Sequence, residues 1–246
     1  MYNFFANAEN RQGDLYIITG SDCNHMKNVL RMKAGEKILV SDGGKSHLCM
    51  LEGFDGANAV LRITEENYQD TELPIKIYLF QGLPKSDKLE LIIQKTVELG
   101  VYGIIPVEMN RSIVKLDEKK KGAKRERWQA IAESAAKQSK RCVIPEVFDV
   151  MTYKQAMEKA KEMDVLLIPY ENENGMKATS EALENIKPGS SVGILIGPEG
   201  GFEEKEVAAA IDAGGISISL GKRILRTETA AITSVGMCML YAEMKF

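Results

Sequence analysis

The stretch "GILIGPEGGF", Gly193 to Phe202, runs from an apolar strand into a loop of proline, acid and glycine, and a charged helix follows at once. A hydrophobic run closed by Gly and Pro is by itself ordinary turn chemistry. Its neighbours give it weight. Upstream lie "IKIYLF", the helix "SDKLELIIQKTVELG", the strand "GIIPV", the helices "RERWQAIAESAAKQSKR" and "YKQAMEKAKE", the strand "DVLLIPY" and the helix "SEALENI". Downstream lie "EEKEVAAAIDA", "GISISL" and a last helix from about Glu228 to Lys245. This alternation predicts an α/β fold with a parallel sheet over residues 73–246. Leu89, Ile92, Ile93 and Val97 share one helix face, and Gly100 ends that helix.

Residues 1–72 have a different rhythm. Short strands separated by Gly-rich turns predict a small barrel, and "KILVSDGGKSHLCML" carries a hairpin signal in its central Asp-Gly-Gly. One helix, "DCNHMKNVLR", interrupts them with Asp22 as its N-cap, and "ENYQDTELP" reads as the linker to the second domain.

Composition narrows the function classes. A chain of 246 residues, 44% hydrophobic and 27% charged, has the balance of a globular protein in water. Apolar runs such as "VLLIP" are too short to span a bilayer, and "MYNFFANAEN" lacks the basic start of a signal peptide, so a cytoplasmic location with no membrane partner is expected. Cys23, Cys49, Cys142 and Cys238 are scattered with no CxxC pair, which indicates neither a zinc site nor a disulfide framework and predicts small buried hydrophobes. Net charge is −3, yet Arg111 to Arg141 holds eleven Lys or Arg against four acids, a local surplus of seven. Within it "KLDEKKKGAKRER" reads as mobile around Gly122.

Three loops of the second domain stand out: "PYENEN", "GPEGGF" and "LGKRILRTETA". In open α/β sheets ligands collect beyond the carboxyl ends of strands, and glycine lets backbone approach them closely. No GxxxxGK[ST] is present, and "GPEGGF" departs from GxGxxG by placing Glu199 where a pyrophosphate would be repelled. An acid beside open backbone suits a ligand with a positive centre, and S-adenosylmethionine carries both a sulfonium and an ammonium.

"LIGPEGGF" followed by "LGKRILRTETA" resembles the signature pair of the RsmE family of ribosomal RNA methyltransferases, members of the SPOUT superfamily. "IIPVEMNRSIVKL" (Ile104 to Leu116), "AESAAKQSKRCVIP" (Ala132 to Pro145) and "HMKNVLRMKAGEKILVSDG" fit the same family, so the resemblance covers nearly the whole chain. It implies a SPOUT-type parallel sheet with a C-terminal trefoil knot, preceded by a small PUA-like β-barrel domain that binds RNA. It also implies a homodimeric enzyme that moves a methyl group from S-adenosylmethionine to N3 of a decoding-region uridine in 16S rRNA or the 30S subunit.

Carried over by position, the cofactor pocket would comprise Leu167, Tyr170, Ile196, Gly197, Pro198, Glu199, Gly200 and Gly201, then Leu220, Gly221, Ile224, Leu225, Arg226, Thr229 and Ala230. Glu199 is either a pocket acid or a cap for the helix that begins near Glu203. A branched side chain at Gly200 is expected to fill space the cofactor needs. Lys222 stands where family members often have another residue and is expected on the loop surface.

Uridine N3 carries a weakly acidic proton, so its methylation calls for cations near the uracil oxygens and a carboxylate to accept the proton. Arg111, Arg226 and Glu228 are the candidates. For RNA, His25, Lys27 and Arg31 lie along the N-terminal helix, while Arg111, Lys137, Gln138, Lys140 and Arg141 border the basic strip. Ile232, Val235, Met239 and Leu240 make the final helix apolar on more than one face, beyond what one sheet contact requires, so a homodimer is expected, the alternative being a helix buried within its own domain. A non-catalytic RNA-binding factor and a ribose 2′-O-methyltransferase are the alternatives.

Overall fold

A computed structural model of the chain describes residues 1–170 and 175–246, so most of "PYENEN" lies outside the described residues. It divides into two compact units, Met1–Glu72 with Ala136–Ile144, and Leu73–Ala135 with Pro145–Phe246.

In the first unit the strands are β1 (Asn3–Phe5), β2 (Arg11–Gln12), β3 (Leu15–Ile18), β4 (Lys37–Asp42), β5 (Lys45–Asp55) and β6 (Asn58–Gln69). They pair in the order β1-β4-β5-β6-β3-β2, antiparallel except for β1 against β4. Gly43 and Gly44 turn the β4–β5 hairpin at φ 56° and 81°, a left-handed pair that the Asp-Gly-Gly signal calls for. Tyr16, Met26, Ile38, Val40, Cys49 and Leu61 fill the core. Two expectations are corrected. The helix α1 (Gly20–Asn24) starts earlier, with extended Thr19 as its N-cap, so Asp22 sits in the first turn, and the chain continues as a π-helical turn over His25–Val29. The polar "ENYQ" is the end of β6 rather than linker, held by pairing of Gln69 with Ser46.

The second unit contains β7 (Lys76–Gly82), α2 (Lys88–Glu98), β8 (Gly103–Glu108), the first part of α3 (Glu118–Ser139), β9 (Glu146–Val147), β10 (Met151–Thr152) and α4 (Tyr153–Ala160). It continues through β11 (Val165–Pro169), α5 (Lys177–Glu184), β12 (Ser191–Ile196), α6 (Glu204–Asp212), β13 (Gly215–Ile218) and α7 (Thr227–Lys245). The sheet order is β10-β8-β7-β12-β11-β13 with β9 beside β8, and every pairing is parallel. Strands of such a sheet are buried on both faces, which is why they read as unbroken apolar runs. Phe80, Ile105, Leu166, Ile168 and Leu195 pack with Ala156 and Met157 of α4 and Val207 and Ala210 of α6. The alternate residues Ile77, Leu79, Leu167 and Ile194 are equally buried, and α7, which packs on α2, also packs on β7 and β12. Gly122, read from sequence as a mobile point, lies within α3, where Asp117 accepts from the Lys120 amide at 2.9 Å and Lys121 pairs with Glu108.

The division between units falls inside α3, whose end joins the first unit. The Arg141 carbonyl accepts from Asn3 Nδ2 at 3.0 Å and Ser41 Oγ at 3.2 Å. The Arg141 side chain, in a residue only 3% exposed, forms an ion pair with Glu72. The same carboxylate accepts from the amides of Cys142 (2.9 Å) and Val143 (3.3 Å). Lys137 Nζ reaches Asp22 at 2.9 Å. All four cysteines are buried and free, and burial pushes the Cys49 and Cys238 thiols up to about 12. Among the described residues no helix is long and apolar enough to cross a membrane.

Candidate active site

Because the sheet is parallel, β11, β12 and β13 deliver their carboxyl ends to one edge, and a cavity of about 450 Å³ lies there. That volume is in the range of small-molecule sites. Ile196, Gly197, Pro198, Glu199 and Gly201 enter it from the β12 loop, and Leu220, Gly221, Ile224, Leu225 and Arg226 from the β13 loop. Tyr170 from the end of β11 and Ala230 from α7 complete the expected residues, with Tyr170 edge-on to Phe202, ring centroids 6.4 Å apart.

Leu167, Gly200 and Thr229 do not line the cavity. Leu167 is fully buried within β11, and Thr229 is exposed on α7. A Cβ at Gly200 would lie 2.9 Å from Arg111 Cβ, so a side chain there collides with the Arg111 loop instead of filling ligand space.

The "GPEGG" loop is held from several directions. A Cβ on Gly82, at the end of β7, would come within 2.8 Å of both the backbone nitrogen and Cδ of Pro198, so the loop rests directly on that glycine. Thr227 Oγ1 donates to the Gly197 carbonyl at 2.7 Å and accepts from Gln81 Nε2 at 3.0 Å, joining the ends of β7 and β12 to the start of α7. Arg111 Nη1 donates to the Gly200 carbonyl at 3.0 Å, while the Asn110 amide and side chain donate to Glu206 and Glu203, each at 3.0 Å. Arg111 therefore positions the loop from outside the cavity. Replacing Thr227 with Val takes the hydroxyl donor from the buried Gly197 carbonyl and leaves the buried Gln81 Nε2 only the Gly82 carbonyl, and an unfolding free energy lower by roughly 1–3 kcal/mol is expected in urea titration. Thr227→Ser should restore most of it; a valine variant as stable as the parent would contradict the linkage.

Glu203, extended at φ −82° and ψ 151°, is the N-cap of α6 in a reciprocal box with Glu206. Glu199, which lines the cavity, is therefore not the cap of α6. Its carboxylate accepts from the Lys85 amide at 3.0 Å and from Lys88 Nζ at 3.0 Å. Burial pushes Glu199 up, but the Lys88 ammonium, with its own and the Lys85 amides, outweighs this and holds it below the ordinary carboxylate value. Lys88 also reaches Glu228 Oε2 at 3.3 Å, so Glu228, which does not line the cavity, is tied to a residue that does. Sequence reasoning missed Lys88. The signal was there, since "LPKSDK" follows a strand of the same sheet, but it has no glycine to mark it as a ligand loop.

Arg226 lines the cavity. Of the RNA candidates, His25, Lys27, Arg31, Gln138 and Lys140 are exposed in the first unit and Arg111 in the second. Arg31 and Lys140 adopt left-handed backbone at φ 53° and 59°. Arg141 is removed from any RNA surface by its burial against Glu72, and Lys137 is engaged by Asp22. On α7, Val235 is fully buried in its own unit, Ile232 and Met239 are half-buried, and Leu240 and Met244 are 53% and 75% exposed.

The chain matches a family described as the RNA methyltransferase domain over residues 71–239 and one described as the RNA methyltransferase PUA domain over residues 18–64. It is 40% identical over 233 residues to ribosomal RNA small subunit methyltransferase E of Bacillus subtilis, covering 93% of this chain and 91% of that one. The protein of the same name from Mesomycoplasma hyopneumoniae is 35% identical over 243 residues, covering 97% and 99%. A crystal structure of a ribosomal RNA small subunit methyltransferase E from Neisseria gonorrhoeae, bound to S-adenosyl methionine, matches at a TM-score of 0.84 and 33% identity over 100% of both chains.

Proposed function

We propose, for a chain that belongs to the ribosomal RNA small subunit methyltransferase E family, that it methylates N3 of a uridine in 16S rRNA with S-adenosylmethionine as donor. The observation that carries this reading is the cavity shared by the "GPEGG" and "LGKRILR" loops with Glu199 at its side. The site suits the cofactor on its own chemistry. Glu199 and Glu228 share the single ammonium of Lys88, which leaves one negative charge of that group uncompensated beside the cavity for a ligand with a cationic centre. Gly197, Gly201 and Gly221 bring backbone without side chains to the cavity, and Leu220, Leu225 and Ile196 an apolar wall. Bound there, S-adenosylmethionine supplies an electrophilic methyl group.

The chain's own residues then have distinct tasks. Arg226 stabilises the negative charge that develops on a uracil oxygen as N3 loses its proton. Glu228 is the carboxylate proposed to accept that proton, with Lys88 fixing its position. Arg111 keeps the Gly200 carbonyl, and with it the turn, in place. Exposed Leu240 and Met244 on the last turns of α7, with Phe246 just after it, support a homodimer, and the 30S particle in the cytoplasm is the proposed partner.

The test is incubation with small-subunit particles from a strain lacking the gene, followed by nucleoside digestion and mass spectrometry. One methyl group per particle on a uracil base is expected, with saturable S-adenosylmethionine binding by calorimetry. A ribose-methylated product would overturn the N3 assignment, and a folded protein with no cofactor binding would leave only a non-catalytic RNA-binding role.

A further inference from the structure

Among the described residues five charged ones line the cavity: Lys88, Glu199, Lys222, Arg223 and Arg226. The acid is paired with Lys88, which it shares with Glu228. Lys222, Arg223 and Arg226 are exposed, fall within five positions of one loop, and have no acidic partner among the described residues. Several arginines elsewhere are matched: Arg11 with Glu66, Arg62 with Asp14 and Glu52, Arg125 with Asp149, Arg127 with Glu90. Three unmatched cations on one short loop repel each other, so their natural complement is an anion.

Arg226 is assigned above to the uracil oxygen, which leaves Lys222 and Arg223. The remaining two positive charges at the mouth fit an anion that repeats along a chain, which is the phosphodiester backbone. Local geometry agrees. Gly221, in left-handed backbone at φ 103° with its amide on Ser219 Oγ at 3.2 Å, turns the chain as it leaves the sheet edge. Ile224 follows, 88% exposed, an apolar surface between the cations against which an unstacked base can lie.

We propose that the Leu220–Arg226 loop serves two ligands, lining the cofactor cavity and, through the exposed Lys222 and Arg223, gripping phosphates that flank the target nucleotide. This rests on the RNA methyltransferase reading above. It assigns to the catalytic unit a substrate contact separate from the first unit's basic residues.

The test is the double variant Lys222→Gln, Arg223→Gln, with its melting temperature as a check on folding. Filter binding of small-subunit rRNA across a salt series should show an affinity reduced roughly 10- to 30-fold near 0.1 M salt and a log–log salt slope shallower by about 1.4, the loss of two single-strand phosphate contacts. The Kd for S-adenosylmethionine should rise several-fold less than the Kd for rRNA, since the donor carries a single carboxylate and the loop's backbone is untouched. An unchanged slope overturns the proposal, and so does a fall in cofactor affinity equal to the fall in RNA affinity, which would assign both cations to the donor's carboxylate. If the parent protein itself fails to bind rRNA, the functional reading fails with it; if the parent binds and the variant matches it, this inference alone fails.

Discussion

Replacing Arg141 with alanine lowers the unfolding free energy by about 3–5 kcal/mol, the scale for removing one half of a buried ion pair. The size follows from what is left behind. Glu72 would keep its charge at a largely buried site, with only the Cys142 and Val143 amides for compensation. Those bonds orient the carboxylate but do not neutralise it, and charge is expensive to hold away from water. Removal of the guanidinium also vacates a space in the seam where Asn3 and Ser41 bond the Arg141 carbonyl. Urea denaturation is the measurement. A loss below about 1 kcal/mol would show that the pair behaves like a surface one. Pairing the change with Glu72→Gln should recover part of the loss, because the stranded charge is gone. Arg31→Ala, on an exposed residue, should leave stability unchanged within about 0.5 kcal/mol.

The second large effect is expected at Gly82. An alanine there puts a methyl group 2.8 Å from the Pro198 backbone nitrogen and ring, and neither can swing aside as a flexible side chain would. Either β7 or the "GPEGG" turn must move, at an overpacking cost of about 1–3 kcal/mol. Since the turn lines the cavity and β7 is locked between β8 and β12, displacement falls on the turn. Affinity for S-adenosylmethionine should drop by roughly 5- to 150-fold, at 1.4 kcal/mol for each factor of ten, in a protein whose circular dichroism is unchanged. Gly200→Ala meets the Cβ of Arg111 and should weaken the cofactor less. Calorimetry showing parental affinity for the Gly82 variant would refute the idea that this glycine seats the loop.

The parts of the fold legible in the sequence were those written in local periodicity and turn chemistry. Alternating strands and helices gave the parallel sheet, and Asp-Gly-Gly gave the hairpin with both its glycines at positive φ. The cavity loops were legible because proline and glycine concentrate where a strand must end beside a ligand. Glu199 could not be assigned between pocket and cap, since that choice depends on Lys85 and Lys88, more than a hundred positions upstream. Arg141 looked like one more cation in a basic strip; its partner lies 69 residues earlier, and no local pattern separates a buried arginine from a solvated one. Gly200 misled for a related reason. Its composition suits a pocket, but the direction of its absent side chain depends on the backbone of the loop and on where Arg111 lies.

The sheet orders its strands against the order of synthesis. β7, completed by residue 82, pairs on one side with β12, whose first register partner to Lys76 is Ser191, so 115 residues must be made before that central ladder can close. The first unit waits too, because Asn3, Ser41 and Glu72 find their partners only when residues 141 to 143 have been made. Neither unit can therefore finish folding as its own strands leave the ribosome. A nascent chain stalled at residue 135 would hold a β-sheet with an unsatisfied polar seam and a β7 strand with a bare edge, the state in which unpaired edges invite association. High sequence separation between paired strands also slows folding once the chain is free.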